Sequence, residues 1–217
     1  MDDVHLRLAE IGLRVAARYG FALAGGYAVA VHGILDRPSE DVDLFTAWER
    51  RGEFSAAVDA VVEGYRNGGY SVEVMQQFDT FARLAVTDPA LPEHPYKVEL
   101  AANWRALPPV MMDIGPVLHA DDVVAGKMSA LYTRAEPRDF LDIDAALVSS
   151  RYTRTRLCEL AEQSDAGFDR RILADLFGML ERYPDRRFAA YGAAEVHIHE
   201  MRKRFAQWRE ELTDDLP

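Results

Sequence analysis

The chain has 217 residues, 49% of them hydrophobic, which is enough to bury the core of one elaborated domain or of a compact domain with a helical extension. Its 36 acidic and 25 basic residues give a net charge of −11. This charge argues against a protein that coats nucleic acid nonspecifically, because neutralised phosphates supply most of that affinity. No apolar run reaches the roughly 18 residues that span a bilayer, and the acidic N-terminus does not resemble a signal peptide, so we expect a cytoplasmic protein without membrane contact.

The first part of the chain predicts a helix, a strand and a second helix. Apolar residues recur at helical spacing over residues 3–19, and Gly20 ends that pattern. Residues 21–24 form a short apolar run, and Gly25-Gly26 then lead into a small-residue helix that ends near His32. Glycines at such a turn let backbone N–H groups approach a phosphate closely, although turn geometry alone also requires glycine there.

A loop over residues 35–40 leads into a strand in which two aspartates alternate with apolar residues. Side chains alternate between the faces of a strand, so Asp41 and Asp43 share one face. Two adjacent carboxylates repel each other, and a cation between them stabilises the arrangement. Oxygen ligands of this kind suit Mg²⁺, which also takes substrate phosphates. By itself, an Asp-x-Asp pair is more often part of a surface strand, and Ser39 more often a turn residue.

Together these two stretches form one longer pattern, Gly25-Gly26-x-Ala28-x-Ala30-x-x-Gly33 followed by Arg37-x-Ser39-x-Asp41-Val42-Asp43-Leu44-Phe45. The pattern resembles the first motif of the minimal, polymerase-beta-like nucleotidyltransferase fold, and it is most similar to the AbiEii/MenT-type toxins of bacterial toxin–antitoxin and phage-abortive systems. The resemblance covers roughly residues 20 to 145. Tyr27 departs from it, since many relatives carry a small hydroxyl residue at that position.

The middle of the chain predicts a helix over residues 54–65 and two antiparallel strands that meet near residues 77–80. Next comes a strand in which Val98 and Leu100 flank Glu99. We interpret Glu99 as a third carboxylate beside the aspartates, since three carboxylates can hold two divalent ions. The alternative is an exposed ion pair between Lys97 and Glu99, which contributes little to stability.

Two further helices are predicted between residues 121 and 146. Asp121 or Asp122 is expected to cap the first, and Lys127 lies off its apolar stripe, where its ammonium can reach a triphosphate. Pro137 separates the helices, and Arg138-Asp139-x-x-Asp142 opens the second. One of the two aspartates can pair with Lys127. The Lys…Arg-Asp order resembles the closing motif of the AbiEii/MenT-type proteins, which implies that Lys127 and Asp139 are active-site residues. A solvated helix face is the alternative.

The last part of the chain predicts three helices, over residues 153–165, 168–182 and 193–212. Their predicted core positions are Leu157, Leu160, Ile172, Leu176, Leu180, Ile198, Met201, Phe205 and Trp208. Arginines in this region can offer RNA a basic surface, but interleaved acids favour a solvated face. The single Cys158 fits a reducing compartment, and His197 and His199 are not read as a metal site.

Taken together, these patterns predict an α+β fold. A polymerase-beta-like mixed sheet flanked by helices forms a nucleotidyltransferase core over residues 1–118, and a C-terminal helical bundle over residues 119–217 completes the active site. The predicted catalytic residues are Asp41, Asp43, Glu99, Lys127 and Asp139, where Asp139 is expected to position Lys127. The predicted phosphate-binding residues are Gly25, Gly26, Ser39, Lys127 and Arg138. The predicted Mg²⁺ ligands are Asp41, Asp43 and Glu99.

The resemblance implies a toxin that moves a nucleoside monophosphate from an NTP to an RNA acceptor, the 3′ end of tRNA, and so blocks translation and growth. It also implies an antitoxin from a neighbouring gene. Two alternatives remain open at this point. The acceptor can instead be a protein hydroxyl or a small molecule, or the chain can be a non-catalytic nucleotide-binding or antitoxin module. Clustered like charges weigh against the last alternative, because they cost stability in a domain without catalysis.

Overall fold

A computed structural model describes residues 3–35 and 39–214 of the chain. These residues fold into a mixed seven-stranded sheet with helices, which confirms the predicted α+β class. Within the described residues, no helix combines the length and the apolar character that a membrane span needs. Arg37, which belongs to the predicted motif, lies outside the described residues.

The described residues divide into two compact units. Residues 3–32 and 39–123 form the first unit, and residues 33–35 and 124–214 form the second. The sheet belongs to the first unit, with strands in the order β3-β4-β5-β2-β1-β7-β6. The strands are β1 Ala22–Leu23, β2 Asp41–Ala47, β3 Ser71–Gln77, β4 Phe81–Thr87, β5 Tyr96–Asn103, β6 Val110–Met112 and β7 Gly115–Val117. The pairs β2–β5 and β1–β7 are parallel, and the other neighbours are antiparallel.

One face of the central strands forms the core of the first unit. Val42 and Leu44 of β2 are fully buried there, as are Val98 and Leu100 of β5. The intervening residues of both strands point to the opposite face and are only partly buried. Because every second side chain is apolar, this burial fixes the register of the strands and the direction of the polar residues between them.

Helices of the first unit pack on one another through small residues. They are α1 Asp3–Ala16, α2 Gly25–Val31 and α3 Phe54–Asn67, with 3₁₀ turns at Ala17–Tyr19 and Trp48–Glu53. The hydroxyl of Tyr65 in α3 donates to the carbonyl of Leu8 in α1 at 3.0 Å. Gly12 faces the same ring, where a Cβ would lie 2.8 Å from the Tyr65 oxygen. The predicted helices over residues 3–19 and 54–65 are therefore present.

The predicted hairpin of β3 and β4 forms the edge of the sheet. Its strands are antiparallel, and the register shifts at a bulge between Val74 and Gln76. Val74, Met75 and Phe78 are exposed on this edge strand and its turn. No residue of β3 is buried, whereas alternate residues of β4 are fully buried.

The second unit contains helices alone among its described residues. They are α4 Ala120–Arg134, which begins in the first unit, α5 Pro137–Val148, α6 Arg154–Ser164, α7 Arg170–Phe177, α8 Arg186–Ala189 and α9 Glu195–Asp214, with a 3₁₀ turn at Gly178–Arg182. An aromatic cluster fills the core. The Phe205 ring lies 5.3 Å from Phe140 and 4.9 Å from Phe177, and Trp208 lies 4.9 Å from Phe177, measured between centroids.

Two local predictions are wrong. Ile172 is exposed and Leu176 is half-buried, because the buried stripe of α7 consists of Leu173 and Phe177 instead. Both pairs have the same helical spacing, so periodicity alone could not choose between them.

The start of α4 also differs from the prediction. Asp122 does not cap the helix, since its carboxylate accepts hydrogen bonds from the backbone N–H groups of Ala106 and Leu107 at 2.8 and 3.0 Å. The ring of His119 instead accepts a hydrogen bond from the backbone N–H of Asp121 at 3.2 Å. An aspartate near a helix start can serve a neighbouring loop equally well, and the sequence did not show that loop.

Candidate active site

The parallel pairing of β2 and β5 brings the predicted carboxylates together in the first unit. In this register Asp41 is paired with Lys97, and Asp43 is paired with Glu99. On the other side of β5, Glu99 is paired with Arg83 of β4. The alternation in the sequence correctly predicted that Asp41 and Asp43 share a face and that an adjacent strand presents Glu99.

Two basic side chains neutralise these carboxylates. The ammonium of Lys97 lies 2.6 Å from Oδ2 of Asp41 and 3.8 Å from Oε1 of Glu99. The guanidinium of Arg83 contacts Oε1 of Glu99 through Nε at 2.9 Å and Nη2 at 2.8 Å. Side chains of Lys97 and Arg83 are 38% and 40% exposed. The ion pairs are therefore within reach of water, and an incoming ion can compete for them.

Asp41 has a carboxylate oxygen that suits a metal ion. Its Oδ1 is buried and has no hydrogen-bond partner among the described residues. A buried carboxylate oxygen without a partner is costly, and a cation between Asp41 and Asp43 would remove that cost. Within residues 3–35 and 39–214, however, no three His, Cys, Asp or Glu side chains converge on one point closely enough to hold a metal. The two aspartates fit Mg²⁺, while Glu99 is engaged by Arg83.

Gly25 places the start of α2 directly against Asp43. Its φ is +61°, and a Cβ at this position would lie 1.7 Å from Oδ2 of Asp43. The backbone N–H of Ala24 also donates to the carbonyl of Asp43 at 2.8 Å. Only glycine satisfies both the backbone angle and the contact. The glycine predicted to approach a phosphate therefore already accommodates a carboxylate of the site.

Gly26 and Tyr27 position the segment that precedes β2. A Cβ on Gly26 would lie 2.6 Å from the hydroxyl oxygen of Ser39. The buried Tyr27 donates its hydroxyl hydrogen to the carbonyl of Ser39 at 2.9 Å. Tyr27 therefore fixes the backbone two residues before Asp41, which is a structural use for the residue that departs from the family pattern.

Lys127 belongs to the second unit, where it forms a buried ion pair with Asp142. The ammonium lies 2.7 Å from Oδ2 of Asp142, and the two side chains are 13% and 1% exposed. This corrects the predicted role of Asp139, because the residue that holds Lys127 is Asp142. The two aspartates are three residues apart on one helix, and their spacing did not distinguish them.

Asp139 instead binds Arg134 and caps α5. Its carboxylate accepts hydrogen bonds from Nε and Nη2 of Arg134 at 2.8 and 2.7 Å, and from the backbone N–H of Glu136 at 3.0 Å. The hydrogen bonds to this fully buried carboxylate raise the pKa of Arg134. Arg138 pairs with Glu136, with 3.1 Å between Nε and Oε2. Asp139 thus orders the turn between α4 and α5.

No role was predicted for Arg83 or Arg134, and Lys97 was predicted only in the alternative of an exposed ion pair with Glu99. Lys97 precedes Glu99 by two residues, and that spacing was the signal for a shared face. Arg83 stands between the buried Ala82 and Leu84, so the alternation of β4 also pointed to the polar face. Pairing between strands, which a single sequence does not give, was needed to bring Arg83 to Glu99.

The sequence matches the model of a known family. Residues 8–217 match the family described as “Nucleotidyl transferase AbiEii toxin, Type IV TA system”. No curated protein matches the sequence.

Among solved structures, three are similar over nearly the whole chain. A putative nucleotidyltransferase from H. pylori has a TM-score of 0.59 and 15% identity, and the match covers 100% of this chain and 97% of that one. JHP933 from Helicobacter pylori has a TM-score of 0.57 and 15% identity, with coverage of 98% and 92%. The nucleotidyltransferase toxin MenT4 from Mycobacterium tuberculosis H37Rv has a TM-score of 0.57 and 18% identity, with coverage of 99% and 84%. The shared fold agrees with the sequence match, and the chain therefore belongs to the AbiEii nucleotidyltransferase toxin family.

Proposed function

We propose that the chain transfers a nucleoside monophosphate from an NTP to an RNA acceptor, the 3′ end of tRNA. A hydroxyl oxygen of the acceptor forms a bond to the α-phosphorus, the bond from that phosphorus to the α,β-bridging oxygen breaks, and pyrophosphate leaves. The hydroxyl proton is released as the new bond forms. The observation that supports this proposal best is the pair Asp41 and Asp43 on one face of β2, with an unpartnered oxygen on Asp41, in a chain of this family.

We assign Asp41 and Asp43 as the residues that hold Mg²⁺, with Glu99 as the third carboxylate. When bound, the ion supplies Lewis-acid stabilisation of the charge that develops on the phosphates. Lys97 and Arg83 neutralise the carboxylates in its absence. Both are exposed enough to turn toward the negative phosphates of a nucleotide.

The other predicted residues keep supporting roles in the proposal. Gly25 and Gly26 would offer backbone N–H groups to the phosphates at the start of α2, where a Cβ would meet Asp43 and Ser39. Lys127 binds the leaving phosphates, with Asp142 as the residue that orients it. Arg138 contributes charge at the start of α5, and Asp139 holds the turn that precedes it.

The family's description includes a type IV toxin–antitoxin system. We propose accordingly that the chain acts in the cytoplasm, that its activity inhibits translation and growth, and that an antitoxin from a neighbouring gene counteracts it.

Incubation of the protein with total RNA, Mg²⁺ and each α-³²P-labelled NTP in turn tests the proposal. We expect label in the tRNA band from one preferred NTP. Asp41→Asn should abolish the label because it removes the charge that holds the metal, while Asp59→Asn on the exposed face of α3 should retain it. Equal labelling by both variants would exclude a role for Asp41. Label on protein instead of RNA would indicate a protein acceptor. Label on neither would favour a small-molecule acceptor or a non-catalytic module.

A further inference from the structure

Two tryptophans follow the last paired positions of β2 and β5. Ala47 and Asn103 are paired at the last position of the two parallel strands, and the next residues are Trp48 and Trp104. Each tryptophan is 46% exposed, whereas the third tryptophan of the chain, Trp208, is almost fully buried. Singly exposed apolar residues are common on proteins, whereas aromatic residues exposed at the paired ends of two strands are candidates for a binding surface.

One arginine lies over the ring of Trp48, and others lie in the segments next to the two tryptophans. The Arg51 guanidinium carbon lies 4.9 Å from the centroid of the Trp48 ring. Arg105 follows Trp104 directly and donates to the carbonyl of Gly20 at 3.2 Å. Arg50 donates to the carbonyl of Arg18 at 2.9 Å. These hydrogen bonds gather three separate segments of the first unit, and we call the resulting surface, defined by Arg18, Trp48, Arg51, Trp104 and Arg105, the tryptophan–arginine edge.

The local charge of this surface is opposite to that of the chain. Residues 14–20, 48–53 and 103–107 contain five arginines and two glutamates. The carboxylate of Asp122 is hydrogen-bonded to the backbone of Ala106 and Leu107, so the surface has an excess of two positive charges in a chain with a net charge of −11. One of the glutamates, Glu53, is paired with Arg50. Burial lowers the pKa of Arg105, and the nearby carboxylates of Asp122 and Glu49 partly oppose that effect.

We propose that the tryptophan–arginine edge binds single-stranded RNA, with bases stacked on Trp48 and Trp104 and phosphates held by the arginines. Aromatic rings interleaved with basic side chains are the usual surface for single-stranded nucleic acid. This inference rests on the proposed function, since it describes how an RNA acceptor is held. From Asp41 to Ala47 a strand rises by about 20 Å, so bound RNA would extend along the sheet from the edge to the carboxylates.

Tryptophan fluorescence gives a direct test without nucleotide or metal. Titration of the protein with a 12-nucleotide oligouridylate should quench the emission of Trp48 and Trp104, while Trp208 supplies an unquenched background. The apparent Kd should weaken with salt by a slope of about −0.7 for each phosphate that is neutralised. Trp104→Phe should lower the signal but keep most of the affinity, because phenylalanine still stacks.

Alanine variants measure the stacking. Trp48→Ala and Trp104→Ala should each weaken binding by about 5- to 150-fold, the range for loss of one base–aromatic stack. Arg51→Gln should weaken binding and reduce the salt slope, whereas Arg66→Gln on the exposed face of α3 is the matched control and should change neither. Circular dichroism should show that these surface variants remain folded.

The outcomes separate this inference from the proposed function. No quenching of the wild type, or quenching that both alanine variants retain, would overturn the RNA-binding edge. Quenching that depends on protein concentration and not on RNA would assign the edge to a protein interface instead. Binding by the Trp48→Ala/Trp104→Ala variant is measured instead by the anisotropy of a fluorescein-labelled oligouridylate. Unchanged affinity in this variant would refute the edge. Lost affinity together with full labelling of tRNA would confirm an RNA-binding surface but refute its role in holding the acceptor. Binding by a wild type that labels no RNA would support the edge and count against the proposed transfer.

Discussion

The ion pairs on the sheet and those of the C-terminal helices use the same residue types in different surroundings. On the sheet, the Lys97 side chain that pairs with Asp41 is 38% exposed. In the second unit, the Lys127 side chain that pairs with Asp142 is 13% exposed, and the carboxylate of Asp142 is almost completely buried. An exposed pair can exchange partners at little cost, whereas a buried pair that loses one partner leaves a charge without compensation. The difference separates carboxylates that are available to a ligand from carboxylates that stabilise the fold.

Removing Asp142 should have the largest effect on stability. We expect Asp142→Ala to lower the free energy of unfolding by about 3 kcal/mol, because Lys127 would remain buried without its partner. Urea denaturation measures this loss. Glu159→Ala, which removes one member of the exposed pair with Arg156, is the control and should change stability by about 0.5 kcal/mol or less. An equally small loss for Asp142→Ala would show that the Lys127–Asp142 pair contributes no more to stability than an exposed ion pair.

A double variant separates the structural and catalytic roles of this pair. Lys127→Met with Asp142→Leu should recover most of the stability, because an apolar pair can replace a buried ion pair. If Lys127 binds phosphates, labelling of RNA should remain absent in this stable protein. Recovery of labelling together with stability would show that the pair acts only in folding.

Gly25→Ala should affect both stability and activity. The new Cβ would overlap the carboxylate of Asp43 at a backbone angle that alanine adopts only with strain, so we expect a loss of about 2 kcal/mol. Thermal unfolding and RNA labelling measure the two effects. Gly52→Ala is the matched control, since no atom lies within 4 Å of its Cβ position. Adding Asp43→Gly to Gly25→Ala should recover stability but not labelling, and failure to recover stability would exclude the overlap as its cause.

Lys97→Gln should tighten metal binding with little change in stability. Without the ammonium, a divalent ion no longer competes for Asp41, and we expect Mn²⁺ affinity to rise by about tenfold in an electron paramagnetic resonance titration. Lys203→Gln removes the exposed pair with Glu200 and is the control. Unchanged or weaker Mn²⁺ binding would contradict the assignment of Lys97 as the counter-ion of the site.

The buried thiol of the second unit provides a smaller, pH-dependent test. Burial raises the pKa of Cys158 to about 11 from an ordinary value of 9.0. The unfolded chain therefore loses this proton first, and the contribution of the thiol to stability is complete below about pH 9 and is lost as the pH rises toward 11. Urea unfolding at pH 8 and pH 10.5 should show a loss of about 1 kcal/mol that Cys158→Ala lacks. An equal loss in the variant would assign the effect to other groups.

Much of the carboxylate site could be predicted because it depends on local alternation. The positions of Asp41 and Asp43 follow from the period of a strand, and burial of Val42 and Leu44 enforces it. The partner of Lys127 could not be predicted in the same way. Asp139 and Asp142 lie on neighbouring faces of α5, and the choice between them depends on packing between helices, which has no signature within one segment.

Most of the fold followed from periodicity, and the elements that were missed are short. The strands β6 and β7 have three residues each, and α8 has four. Elements of this length carry too few alternations to be recognised, and tertiary contacts hold them in place. The buried face of α7 was mispredicted for a related reason. Two sets of apolar residues in that helix have the same spacing, and only packing in the core determines that Leu173 and Phe177 are the buried ones.

The bulge at the edge of the sheet makes β3 a poorer template for pairing with a second molecule. An exposed edge strand with apolar residues offers unpaired backbone groups to a second molecule, which could extend the sheet. The register shift between Val74 and Gln76 interrupts the regular spacing of those groups. Strand addition by a second molecule is thereby discouraged along β3, where the exposed Met75 and Phe78 would otherwise favour it.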